Sequence, residues 1–230
     1  RVQDGFHHAA VTPLVQIAPN LWVLELFHGP TAAFKDLAMQ MAASLSDAAL
    51  SRTGEKLTLL TATSGDTGAA AVRAFAGADN IRLVVLHPLD RVSPVQRRQM
   101  STVDAPNVLN LAVRGDFDDC QRLVKALLAD PRLRNRGRLS SVNSINWARL
   151  AGQVPYWVAA ASALGGSRPT FVVPTGNFGD AFAGWAARRM GADVGHILAA
   201  VNRNDALARA LNEGVYERRS AMPTASVSMD

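Results

Sequence analysis

The stretch "GPTAAFKD" (29–36) carries Lys35, one of only three lysines in a chain with 21 arginines, at the point where an apolar run turns into a helical pattern. It nearly matches the nucleotide-binding pattern G-x-x-x-x-G-K-[ST]. Phe34 stands where the second glycine is needed, however, and Asp36 where the magnesium-binding hydroxyl is needed, so both count against ATP-type binding. What remains is an amine opening a helix beside apolar neighbours. Burial and the positive helix N-terminus both favour its neutral form. A neutral amine adds to a carbonyl to form an imine, which a guanidinium cannot do. The plainer alternative is a surface lysine paired with Asp36.

Two strand–loop–helix junctions offer further chemistry. In "TFVVPTGNFGDAFAGWAARRMG" (170–191), Gly176 and Gly179 flank Asn177 and Phe178 ahead of Asp180. Glycines there let backbone N–H groups converge at a helix N-terminus, which makes a phosphate cup. The same residues also read as a tight turn with Asp180 as helix cap. G-x-x-G lacks the first glycine of the dinucleotide fingerprint. In "TATSGDTGAAAVRAFA" (61–76), Ser64, Gly65, Asp66, Thr67 and Gly68 bring hydroxyls and amides to a second helix start. That nest suits a carboxylate more than a phosphate, because Asp66 would repel the latter. The bland reading makes Asp66 or Thr67 a simple cap.

These loops need a frame that holds them at strand ends. Apolar runs at 56–63, 81–87, 107–113, 139–144, 170–175 and 196–201 read as strands. Segments 32–50, 68–78, 93–101, 117–130, 147–164 and 180–191 read as helices. Ser93 followed by Pro94 predicts a capped helix start, and Pro155 predicts a kink or a break. This alternation predicts an α/β fold with parallel sheets and flanking helices. Ligands then bind beyond the carboxyl ends of the strands.

Composition fits a globular domain, with 48% apolar and 19% charged residues and a formal charge of +5. The densest basic run, "RLRNRGR" (132–138), reads as a solvated loop or an anion patch. No aromatic residue is interleaved with it, against single-stranded nucleic-acid binding. Cys120 is the only cysteine, so no internal disulfide forms and no cysteine-built metal site exists. The longest apolar stretch, around 154–164, is too short to span a bilayer, and residues 1–10 lack a signal-peptide pattern. These features predict a cytoplasmic protein without metal, membrane or nucleic-acid partners. The chain opens in a loop and ends without a closing element, as a fragment would.

Taken together, an imine-forming lysine, a phosphate cup and a carboxylate nest are the parts needed to hold pyridoxal phosphate and an amino acid. The stretches "ELFHGPTAAFKD", "TATSGDTGAAAV", "RVSPVQRRQM", "GDFDDCQ", "VNSINWARL" and "VPTGNFGDAFAG", in order from about residue 25 onward, resemble the threonine synthase family of fold type II pyridoxal-phosphate enzymes. The resemblance implies two lobes: an opening segment 1–45 with the lysine helix, a smaller lobe 46–140, and part of a larger cofactor-binding lobe 141–230. It implies conversion of O-phosphohomoserine and water to threonine and phosphate, by γ-elimination of phosphate and addition of water at Cβ. It puts Lys35 on the Schiff-base lysine, which also moves protons at Cα and Cβ. Gly176, Asn177, Phe178, Gly179 and Asp180 fall on the cofactor-phosphate loop. Ser64, Gly65, Asp66 and Thr67 fall on the substrate-carboxylate loop. Asn143, Ser144, Asn146 and Arg149 fall near the substrate's own phosphate, although one arginine also suits a helix-surface ion pair. The residue that contacts the pyridine nitrogen is expected beyond residue 230. A serine/threonine dehydratase and a non-catalytic relative that keeps the cofactor are the neighbouring possibilities.

Overall fold

A computed structural model describes residues 5–135, 137–142, 146–217, 222, 224–226 and 229. The chain divides into two compact units, Arg1–Gly152 and Gln153–Asp230.

The first unit opens with a hairpin, β1 (Leu14–Ala18) and β2 (Leu21–Leu24), paired antiparallel. It continues through α1 (Lys35–Thr53), β3 (Leu57–Ala62), α2 (Asp66–Phe75), β4 (Ile81–Pro88), α3 (Pro94–Ser101) and β5 (Val108–Val113). Then follow α4 (Phe117–Ala129), α5 (Pro131–Arg134), β6 (Arg138–Ser141) and α6 (Trp147–Ala151). The sheet is all parallel, in the order β5-β4-β3-β6. Successive strand side chains point to opposite faces, and helices cover both. Leu59, Leu83 and Val85 pack with Met39 and Ala43 of α1, Val72 and Phe75 of α2, and Met100 of α3. Leu60, Ala62 and Leu86 pack on the other face with Cys120 and Val124 of α4, so Cys120 is a core residue.

Local signals explain the boundaries. Ser93 caps α3 by accepting from Gln96 N, with Pro94 in the first turn. Asp116 and Asp119 form a reciprocal capping box at α4. The opposite ends of the strands are tied by Asn107. Its Nδ2 donates to Phe75 O (2.8 Å) and Ile81 O (2.9 Å), and its Oδ1 accepts from Gly77 N (2.9 Å). The basic run contains the short turn α5, with Arg132 paired to Asp130 and Arg138 to Glu55, both arginines exposed. Of the strand expected over 139–144, residues 143 and 144 lie outside the described residues.

The second unit holds α7 (Val154–Ala163), β7 (Phe171–Pro174), α8 (Gly179–Arg189), β8 (Ile197–Ala200) and α9 (Ala206–Glu213). The expected break at Pro155 is present, since α6 stops at Ala151 and α7 starts with proline in its first turn. β7 and β8 pair in parallel. Trp157 of α7 meets Phe171 of β7 at a tilt, with ring centroids 4.6 Å apart. Thr175 N donates to Ala200 O (3.0 Å), which carries the pairing one residue past β7. Among the described residues, no helix is long and apolar enough to cross a membrane.

Candidate functional site

Lys35 is the first residue of α1 and is 7% exposed. Its Nζ sits 3.3 Å from Asp66 Oδ2 and 4.3 Å from the centroid of the Phe34 ring. The snorkelling surface lysine is therefore ruled out: the amine is buried and its acidic partner is Asp66, 31 residues away. Phe34, which spoils the nucleotide pattern, forms the apolar floor beneath the amine. Burial favours the neutral amine and the Asp66 carboxylate favours the ammonium, so the two influences oppose each other.

Asp36 is turned the other way. It is 1% exposed and accepts from Thr31 N (2.9 Å), Thr31 Oγ1 (2.7 Å) and Ala33 N (3.4 Å). Burial raises its carboxyl above the usual range, the Thr31 and Ala33 bonds oppose that, and the nearby Asp66 charge adds to it. Asp36 thereby fixes the loop that delivers Lys35. Gly29 is needed beside it, because a Cβ there would lie 2.4 Å from Asp36 Oδ2. Gln99 of α3 closes the loop by donating to Thr31 O (3.1 Å).

The 64–67 loop joins β3 to α2. Neither Asp66 nor Thr67 caps the helix: the N-cap is Gly65, and Asp66 is the first helical residue. The brace is Thr63, fully buried, whose Oγ1 accepts from Gly65 N (2.9 Å) and Gly68 N (2.8 Å). That leaves the Asp66 side chain to face Lys35 through Oδ2 and Gln96 Nε2 (2.5 Å) through Oδ1. Ser64 is exposed and Thr67 half-buried.

Arg149, on α6, is 3% exposed and donates through Nη1 to Val142 O (3.1 Å). Its side chain therefore does not lie on the exposed surface of the helix. Loss of solvent pulls its pKa down to about 10, so it stays cationic at neutral pH. Asn146 caps α6: its Oδ1 accepts from Ala148 N (2.9 Å) and its Nδ2 donates to Ser141 O (2.9 Å). Asn143 and Ser144 lie outside the described residues.

The second unit carries the Gly176–Asp180 loop. Phe178 is the N-cap of α8 with φ 63°, a left-handed conformation rare for a bulky side chain. Asp180 is therefore the second helical residue rather than the cap. Its Oδ1 accepts from Thr175 Oγ1 (2.5 Å) and Ala181 N (2.8 Å), while Thr175 Oγ1 accepts from Phe178 N (3.2 Å). Gly176 and Asn177 are exposed, and Thr175 and Asp180 are buried. Within the first unit, then, the fold brings Lys35 and Asp66 together; the phosphate-loop residues belong to the second. Sequence reasoning passed over Thr31, Thr63, Gln96 and Thr175. For Thr63 and Thr175 a signal existed, a threonine one residue past a strand and just ahead of a glycine-rich loop.

Residues 6–230 match the family model described as pyridoxal-phosphate dependent enzyme. Threonine synthase of Pseudomonas aeruginosa is 49% identical over 227 residues, covering 98% of this chain and 48% of that protein. Threonine synthase of Saccharomyces cerevisiae is 43% identical over 247 residues, covering 100% of this chain and 48% of that protein. Among solved structures, the pyridoxal-phosphate-bound threonine synthase from Brucella melitensis superposes with a TM-score of 0.91 at 51% identity, over 100% of this chain and 50% of that one. The chain spans about half the length of the curated relatives it matches.

Proposed function

Because the chain belongs to the pyridoxal-phosphate-dependent enzyme family, we propose that it serves a threonine synthase, which converts O-phospho-L-homoserine and water to L-threonine and phosphate. The observation that carries this reading is Lys35, a buried amine opening α1 and facing the loop after β3. The residues present fit the cofactor. The amine suits an aldehyde, and the exposed Gly176–Asn177 turn at the N-terminus of α8 suits a phosphate. The negative charge of Asp180, which would oppose a phosphate, is engaged by Thr175 and Ala181 N.

Pyridoxal phosphate, when bound, supplies a carbonyl carbon for an amine and a ring that draws electrons from the adjacent carbon. Lys35 would hold that carbonyl and, as a free amine, would carry protons at the substrate's Cα and Cβ. Asp66, 3.3 Å away, gives the free ammonium a counter-ion while it does so. The substrate carboxylate goes to the 64–67 loop. Since Gly65 N and Gly68 N already donate to Thr63, the Ser64 and Thr67 hydroxyls and the remaining amides receive it. Backbone groups of Gly176, Asn177, Phe178 and Gly179 hold the cofactor phosphate, with Asp180 bracing them from behind. Asn143, Ser144, Asn146 and Arg149 form the neighbourhood for the leaving phosphate, where a buried cation favours a doubly charged group. Residues 141–230 then form part of the larger cofactor-binding lobe, and 46–140 the smaller one. A cytoplasmic location and small-molecule partners complete the reading.

The test is to incubate the protein with pyridoxal phosphate, reduce with borohydride and map the adduct by mass spectrometry. An adduct confined to Lys35 supports the reading; adducts spread over Lys56 and Lys125, or none in folded protein, overturn it. Phosphate release from O-phosphohomoserine then separates a threonine synthase from a dehydratase, which would release ammonia from threonine.

A further inference from the structure

We infer that Gln96 is a positioning residue: its carboxamide pins the Asp66 carboxylate so that it aims at the Lys35 amine. The inference rests on the role of Lys35 proposed above and adds a residue from a third element to it.

Three observations converge on Gln96. It is 8% exposed, and its Nε2 donates to Asp66 Oδ1 at 2.5 Å while Asp66 Oδ2 faces Lys35 Nζ at 3.3 Å. One carboxylate oxygen thus meets an amide and the other an amine. The direction of the Gln96 amide is fixed from behind, because Ser93 Oγ donates to Gln96 Oε1 (2.8 Å) and so leaves the NH₂ for Asp66. The carboxamide also lies against Gly65, where an added Cβ would sit 2.2 Å from Gln96 Cδ. A carboxylate free to rotate would spread its charge over several positions; one held by a charge-assisted bond presents one oxygen to the amine. Ser93, Gln96, Asp66 and Lys35 therefore form one chain of hydrogen bonds from the start of α3 to the start of α1.

The experiment reads Lys35 with no cofactor present. Acylation by acetic anhydride, followed across pH by peptide mass mapping, gives the titration midpoint of the Lys35 amine, with the exposed Lys56 and Lys125 as internal references. Among the described residues, Asp66 from α2 faces Lys35, Asp36 on its own helix lies close enough for its charge to act on Asp66, and α6, which packs against α1, carries the cation Arg149. Asp66→Asn is expected to lower the midpoint by about one pH unit. Gln96→Met, similar in length but without a donor, is expected to lower it by about half as much. In the Asp66→Asn background the same change is expected to add nothing, because Gln96 acts through Asp66. Gln96→Glu keeps the shape and adds a negative charge, so it is expected to raise the midpoint. Equal shifts by Gln96→Met in both backgrounds, an unmoved midpoint, or a fall with Gln96→Glu would each overturn the inference. Since no cofactor is added, failure here leaves the borohydride test of Lys35 untouched, and failure of that test leaves this one readable.

Discussion

Gly65→Ala tests whether the loop after β3 has the shape that the site requires. Two costs arise from the geometry. Gly65 adopts φ 147° and ψ −75°, a region that side chains avoid, and holding alanine there costs about 1–3 kcal/mol. The new Cβ would lie 2.2 Å from Gln96 Cδ and 2.3 Å from its Oε1, so Gln96 must withdraw and lose its bond to the Asp66 carboxylate. A hydrogen bond to a charged group contributes about 1.5–3 kcal/mol. The sum is a loss of roughly 2.5–6 kcal/mol, read by urea unfolding of the purified protein. The two costs separate in a double-mutant cycle. In a Gln96→Ala background the contact is already gone, so adding Gly65→Ala should cost only the backbone part, about 1–3 kcal/mol. A loss below about 0.5 kcal/mol, typical of a neutral surface change, or the same loss in both backgrounds, would refute the reasoning.

Thr175→Val removes the hydroxyl that joins Phe178 N to Asp180, so weaker retention of pyridoxal phosphate is expected in dialysis, with Thr175→Ser restoring it. Asn107→Ala removes one donor from each of the carbonyls of Phe75 and Ile81 and the side-chain acceptor of Gly77 N, and is expected to cost about 2–3 kcal/mol in urea unfolding, with the Lys35 adduct retained. Asp36 holds its proton to a higher pH when folded than when unfolded, so the stability it contributes is complete at low pH and declines as pH rises through the raised value. Stability measured from about pH 4 upward should fall less steeply in Asp36→Asn than in the parent protein.

The parallel frame was legible because its signals are local. Period-two apolar runs, Ser93–Pro94 at a helix start and Pro155 at a break each state their structure within a few residues. The hairpin at the N-terminal side went unread although Pro19 and Asn20 separate its two runs, and Asn20 takes the left-handed turn with φ 58°. The short helix α9, closed by Gly214 at φ 70°, was likewise readable from its ending. What no sequence rule supplies is the partnership of Lys35 with Asp66 across 31 residues, or of Gln96 with Asp66 across 30. Those pairs depend on α1, α2 and α3 lying on one face of the sheet. The sequence names the amine and the loop but not the carboxylate that faces the amine.

The two loops that the sequence marks by their glycines share a device carried by a different residue. At each, a buried threonine just past the strand receives amide protons from the loop: Thr63 from Gly65 and Gly68, Thr175 from Phe178. Each loop also has an aspartate in the first turn of the helix that follows, where the helix dipole favours negative charge. The aspartates are used in opposite ways. Asp180 is bonded back to its own threonine, so its charge is withdrawn from the loop and the remaining amides can meet an anion. Asp66 instead directs its charge to Lys35 and Gln96, while the Thr63 oxygen accepts the two loop amides. Under the function proposed above, one junction suits a phosphate and the other an ammonium. The choice follows from where the aspartate is directed, back to its own threonine or across to α1 and α3.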